Sequence, residues 1–108
     1  MYDHNSIFAR ILRGEISSKK VLETEYTLAF YDAFPKASVH ILVIPKKPYV
    51  TFHDFISGAE SEEILDYYKV IDTIVRSQGL NDTGYKLLVN SGEGGGQEIP
   101  HFHTHVMG

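Results

Sequence analysis

The chain has 108 residues, 43% of them hydrophobic and 12% aromatic, enough to build one packed domain over residues 1–108. Ten basic against fourteen acidic residues leave a formal charge of −4, which argues against a nucleic-acid partner, because phosphate-backbone binding calls for a basic excess. Cysteine is absent, so disulfides and thiolate metal sites are excluded and a reducing cytoplasm suits the chain.

The opening residues Met1-Tyr2-Asp3-His4-Asn5 have no basic segment running into an apolar stretch. No apolar run approaches membrane-spanning length either, so the sequence predicts a cytoplasmic protein with no membrane partner. A short helix follows over Ser6–Gly14: Ser6 suits the cap, Ile7, Phe8, Ile11 and Leu12 form one apolar stripe, and Gly14 can end it. Val21–Glu23 and Tyr26–Tyr31 read as two strands turning at Thr24-Glu25. Val39–Ile44 is a third, strongly apolar strand with one polar exception, His40, and it ends at Pro45-Lys46-Lys47-Pro48.

The spacing of Ile64, Leu65, Tyr68, Ile71, Ile74 and Val75 predicts a long helix over about 61–78, with acidic residues in its first turn and Gly79 behind it. Gly84–Asn90 reads as a fourth strand. The loop Ser91–Gln97, with four glycines in seven residues, leads to a fifth strand over Ile99–Met107. These elements predict an α+β fold: a roughly five-stranded antiparallel sheet, one long and one short helix, and the helices on one face.

The most informative segment is the last one, His101-Phe102-His103-Thr104-His105. In an extended chain side chains repeat every second residue, so three imidazoles emerge on one face. A metal cage is one reading, but His101 and His105 would stand roughly 13 Å apart along a strand. Zinc lies about 2 Å from each ligand nitrogen, so only two of the three, with His40, could share an ion. A histidine-rich surface strand is a second reading. The third is nucleophilic catalysis, because glycine lets backbone N–H groups curl round an anion. Such a loop would hold a phosphoryl group against imidazoles able to attack phosphorus and assist its leaving group.

With these residues in place, the chain closely resembles the histidine triad family, in particular its Hint branch of purine-nucleotide hydrolases. The motif His-φ-His-φ-His-φ-φ is met over His101–Met107, with Thr104 as its weakly apolar entry. Ile7–Ile11, Ala29–Asp32, His40–Lys47, Asn90–Gly92 and Gly95–Gln97 also look like family segments in order, covering nearly the whole chain. The resemblance implies a nucleotidyl-histidine intermediate on His103, flanked by His101 and His105. It places His105 against phosphate, a backbone carbonyl behind the His103 ring, and His40 across from the row. It further implies that Asn90, Gly96 and Gln97 bind the phosphate or leaving-group side and that Asp32 takes the ribose hydroxyls. Ile7, Phe8, Ile11 and Phe30 then sandwich the purine.

The implied reaction is hydrolysis of the P–N bond in adenosine or guanosine 5′-phosphoramidates, adenylylated lysine included, without metal or other cofactor. The resemblance also offers dinucleoside polyphosphate hydrolysis, as in the family's Fhit branch, or a nucleotide-binding regulatory or scaffold role. It implies a homodimer built through a continuous sheet. Two positions depart from the family: Ala33 stands where a branched aliphatic is usual, and the sequence ends at Gly108 where the family continues with a short tail. Glu98 adds a negative charge beside the phosphate loop.

Overall fold

The computed structural model describes residues 1–108. Helix α1 (Ile7–Leu12) starts as its sequence dictates, the Ser6 hydroxyl accepting from the Ala9 N–H at 3.2 Å. Gly14 follows its end with φ +78°, a conformation that favours glycine. Five strands then form one antiparallel sheet: β1 (Lys20–Glu23), β2 (Thr27–Tyr31), β3 (His40–Pro45), β4 (Lys86–Leu88) and β5 (Thr104–Met107), in the order β1-β2-β3-β5-β4. The expected sheet is present, and β3 and β5 lie side by side near its centre.

Register places the site. His40 pairs with Met107 and Leu42 with His105 across β3 and β5, and Leu88 of β4 pairs with His105 from the other side. Directly paired residues share a face, so His40, Leu42, His105, Met107 and Leu88 stand together.

Alternation along β2 and β3 splits the core in two. Ala29, Ile41, Val43, Val106 and Phe102 pack beneath α3 (Ser61–Ser77). Phe8, Leu28, Phe30, Leu42 and Ile44 form a second cluster on the opposite face, under α1. The expectation of helices on one face is therefore corrected. A sheet apolar on both faces requires cover on both, and α1 supplies it through Phe8.

Two helices were not anticipated. Helix α2 (Phe52–Gly58) starts at a capping box in which Thr51 Oγ1 accepts from the Asp54 N–H and Asp54 Oδ2 accepts from the Thr51 N–H, both at 3.1 Å. The short α4 (Leu80–Thr83) follows Gly79, which takes φ +71°. The buried stripe of α3 is Tyr67, Val70, Ile71, Ile74 and Val75, whereas Leu65 and Tyr68 are exposed. The helix is thus rotated from the predicted face to set the large ring of Tyr67 at its centre. No helix is long and apolar enough to cross a membrane.

The fifth strand is shorter than its sequence suggests. The β3–β5 ladder ends at the pair Val43–Thr104, so only His105 of the three histidines lies in a strand. Pro45 has no N–H to extend the ladder, and the Phe102 N–H goes instead to the Tyr49 carbonyl at 2.7 Å. Facing still alternates through this segment: Phe102 packs on Phe55 and Tyr67 while the rings of His101 and His103 meet Phe8.

Candidate active site

A cleft of about 1140 Å³ opens on the face that carries His40 and His105. His103 and His105 line it together with His40, Asp32, Asn90 and Gly96. So do the four apolar residues expected to hold a base: Ile7 is exposed at the rim, Ile11 is half-buried, and Phe8 and Phe30 are buried. The Phe8 ring stands edge-on to His103 at 5.0 Å and to Phe30 at 5.7 Å. These two phenylalanines are core and cleft wall at once.

Hydrogen bonds fix the proton positions on the imidazoles. His103 Nδ1 lies 2.7 Å from the His101 carbonyl, an acceptor only, so Nδ1 carries the proton and donates. Its Nε2 has no partner, and no buried side-chain nitrogen in the protein lacks one, so this lone pair is open to the cleft. The Lys36 N–H donates to His40 Nδ1 at 3.0 Å, which puts the His40 proton on Nε2. That atom lies 2.9 Å from His105 Nδ1 and 3.4 Å from Asp32 Oδ2. His105 Nδ1 therefore accepts, and its own N–H sits on Nε2.

Burial lowers the pKa of all three row histidines, because a charged imidazole loses its water there. His101 is brought to about 4, against an opposing bond from the Pro45 carbonyl. His103 is also lowered, with the His101 carbonyl and the Asp32 charge opposing. His105 falls to about 4, helped by the nearby His103 and His40. At neutral pH the His103 imidazole keeps a free lone pair.

Asp32, His40 and His105 each bring one potential metal-ligand atom within 4.8 Å of the others. His40 Nε2 and His105 Nδ1 already face each other across a single proton whose donor the Lys36 N–H determines. The arrangement is complete as a proton chain.

Two expected site residues stand elsewhere. His101 is fully buried and does not line the cleft; its Nε2 donates to the Pro45 carbonyl at 2.8 Å and its Nδ1 faces the Tyr2 hydroxyl at 2.7 Å. Gln97 is spent on the loop: its Oε1 accepts from the Gly92 N–H at 2.8 Å, and its Nε2 donates to the carbonyls of Val50 at 2.6 Å and Ile99 at 3.0 Å.

The glycine loop differs from an open anion nest for the same reason. The N–H groups of Gly95, Gly96 and Gln97 close onto Gly92 and Glu93 carbonyls around a 3₁₀ turn (Glu93–Gly95). Asn90 Nδ2 gives one proton to the Gly95 carbonyl at 2.7 Å and keeps a second for the cleft. These bonds close the loop on itself, and Asn90, just before it, and Gly96 within it reach the cleft.

Lys19, Lys36, Leu42, Leu88, Ile99 and Met107 also line the cleft, and the sequence did not single them out. Leu42 was legible in principle, lying two residues from His40 on one strand, as Met107 does from His105. Glu98 lies in the wall without an ion-pair partner among the salt bridges.

A HIT domain model matches residues 13–108. The chain belongs to the HIT domain family. It is 51% identical over 106 residues to an uncharacterised 13.2 kDa HIT-like protein of Azospirillum brasilense, covering 98% of this chain and 87% of that one. An uncharacterised HIT-like protein of Rickettsia prowazekii is 42% identical over 108 residues, covering 100% and 90%. Among solved structures, a HIT family hydrolase from Legionella pneumophila superposes with a TM-score of 0.88 at 38% identity, covering 96% of this chain and 92% of its own. A histidine triad nucleotide-binding protein from Candida albicans gives 0.84 at 30% identity, covering 94% and 73%. This HIT protein thus shares its fold with relatives whose names include hydrolase and nucleotide-binding protein.

Proposed function

We propose that this HIT protein is a hydrolase of purine nucleoside 5′-phosphoramidates, of the kind found in the Hint branch, with His103 as nucleophile. The single observation that carries this reading is the pinning of His103 Nδ1–H on the His101 carbonyl, which turns an unpartnered Nε2 to the cleft. A lone pair held in one direction, on a ring kept uncharged by burial, is what in-line attack on phosphorus requires.

The purine lies against Ile7, Phe8, Ile11 and Phe30, and Asp32 accepts from the ribose hydroxyls. Nε2 of His103 bonds to phosphorus as the P–N bond breaks, and the departing nitrogen takes up a proton from solvent water in the open cleft. The His105 Nε2–H donates to a phosphoryl oxygen, where charge is carried through the transition state. Water then displaces His103 from phosphorus and returns the proton. One water is consumed, and an amine and a nucleoside 5′-monophosphate are released. No metal takes part.

The same reading makes the protein a homodimer in the cytoplasm. The outer strand β4 supports pairing, as it leaves Tyr85, Leu87, Leu88 and Val89 exposed at a sheet edge.

The test uses a fluorogenic adenosine phosphoramidate and a diadenosine polyphosphate, each with wild type, His103→Ala and an EDTA control. The phosphoramidate should be cleaved in EDTA and the variant should be inert. Preference for the diadenosine compound would transfer the site to polyphosphate hydrolysis. Undiminished turnover by His103→Ala would remove the nucleophile, and loss in EDTA would restore a metal. Tight AMP binding without turnover of either compound would indicate a binding role.

A further inference from the structure

Tyr2 lies outside the residues that the HIT domain model matches, which begin at residue 13. Its hydroxyl nevertheless reaches His101 Nδ1 at 2.7 Å, and the two rings meet edge-on with centroids 5.3 Å apart. Around it the N-terminal segment is tied down. The Ser6 N–H donates to the Asp3 carbonyl at 3.1 Å, and Arg13 Nη1 donates to the His4 carbonyl at 2.6 Å.

His101 has no solvent exposure. Its Nε2 faces the Pro45 carbonyl, which can only accept, so the proton is on Nε2 and Nδ1 needs a donor. Tyr2 is the group that supplies one. His101 in turn presents its backbone carbonyl to His103 Nδ1–H. A chain of bonds therefore runs from the Tyr2 hydroxyl through the His101 ring and backbone to the attacking imidazole.

We infer that Tyr2 is a positioning residue for the nucleophile: by satisfying His101 Nδ1 it fixes the ring and backbone whose carbonyl aims His103. The inference rests on His103 being the nucleophile. A buried imidazole deprived of its donor can regain a partner only by rotating or by exchanging its tautomer. Either change disturbs the bond to Pro45 and the carbonyl two residues before Nε2 of His103.

The test is Tyr2→Phe, which removes one oxygen and keeps the ring contact. Steady-state kinetics on an adenosine phosphoramidate should show kcat about three- to tenfold lower at unchanged KM, the size of one hydrogen bond lost. In ¹⁵N NMR of wild type, His101 should carry its proton on Nε2 and His103 on Nδ1. In Tyr2→Phe the His101 nitrogens should lose that single-tautomer signature, and the His103 Nδ1–H signal should shift or broaden. Combining Tyr2→Phe with His101→Gln should add no further loss of kcat to that of His101→Gln alone.

An unchanged kcat with unchanged His103 signals overturns the inference, as does loss of thermal stability with the His103 signals intact. The wild-type spectrum stands by itself should the variant fold poorly, since His101 protonated on Nδ1 overturns the chain outright. It also separates the two readings. Correct tautomers in an enzyme inert toward phosphoramidates would sink the proposed function and leave the Tyr2 chain standing.

Discussion

His40 Nε2 and His105 Nδ1 lie 2.9 Å apart, 65 residues apart in sequence, with a proton whose side is decided by the backbone N–H of Lys36. Because Lys36 N–H occupies His40 Nδ1, His40 must donate and His105 must accept. The His105 Nε2–H is then available to the cleft in one fixed tautomer.

Removing the His40 donor tests that relay. His40→Ala leaves His105 free to place its proton on Nδ1, so kcat should fall about ten- to a hundredfold, the scale of one hydrogen bond to a charged group, here the phosphoryl oxygens. KM should change little. Asp32→Ala should do the reverse, raising KM more than it lowers kcat, because under the proposed function the carboxylate takes the ribose hydroxyls and only flanks the relay, 3.4 Å from His40 Nε2. Steady-state kinetics on one phosphoramidate decides both, and equal effects on kcat and KM in the two variants would refute the division of roles.

The pH–rate profile follows from the lowered pKa values. The nucleophile acts unprotonated, so kcat/KM should rise with pH and level off, with its midpoint below the ordinary histidine value near 6.5, since burial holds His103 below it. His105, near 4, already works as the uncharged N–H donor and should add no alkaline decline. The observed midpoint belongs to the coupled row. A midpoint above 6.5, or a falling alkaline limb between 7 and 8, would contradict the assignment.

Stability should track the same groups. A histidine whose folded pKa is depressed is protonated in the unfolded chain first, so the unfolded state binds more protons below about 6.5. Its contribution is present above that pH and is lost as pH falls toward the folded value. For His101, near 4 and buried, the loss by pH 4.5 should be about 2–3 kcal/mol. Urea midpoints at pH 7.5 and 4.5 measure it, and His101→Gln should weaken the dependence. A pH-independent midpoint would mean that His101 is protonated in the folded protein.

What the sequence made legible was what periodicity controls. The apolar run Val39–Ile44 located β3, with His40 as its one polar exception, and the alternation of the triad itself placed His103 and His105 on one face. The ladder end was hidden, because Pro45 stops β5 from the neighbouring strand rather than from its own. Helix α2 carried its signal in Thr51 and Asp54, a capping box followed by too short an apolar pattern. Thr104 interrupts the apolar pattern for a reason only the fold reveals: its hydroxyl lies 2.8 Å from the buried Tyr67 hydroxyl, which donates to the Val43 carbonyl at 2.7 Å. The roles of His101 and Gln97 were hidden for a related reason: Tyr2 and Pro45, the partners of the His101 side chain, and Val50, one of the three partners of Gln97, lie about 50 or more residues away in sequence.

The outer edge of the sheet yields the last prediction. Strand β4 is hydrogen-bonded only to β5, and an unprotected apolar edge is a site for pairing with another strand. The native mass should be about twice 12.2 kDa by light scattering or sedimentation. Leu87→Lys, which puts a charge on the exposed edge, should shift it to the monomer. Leu88 and Asn90 lie one and three residues beyond Leu87 and line the cleft, so the monomer should also lose activity, by several-fold and mainly in KM. A wild type that sediments at 12.2 kDa across all concentrations, or a monomeric variant with full activity, would separate the site from the edge.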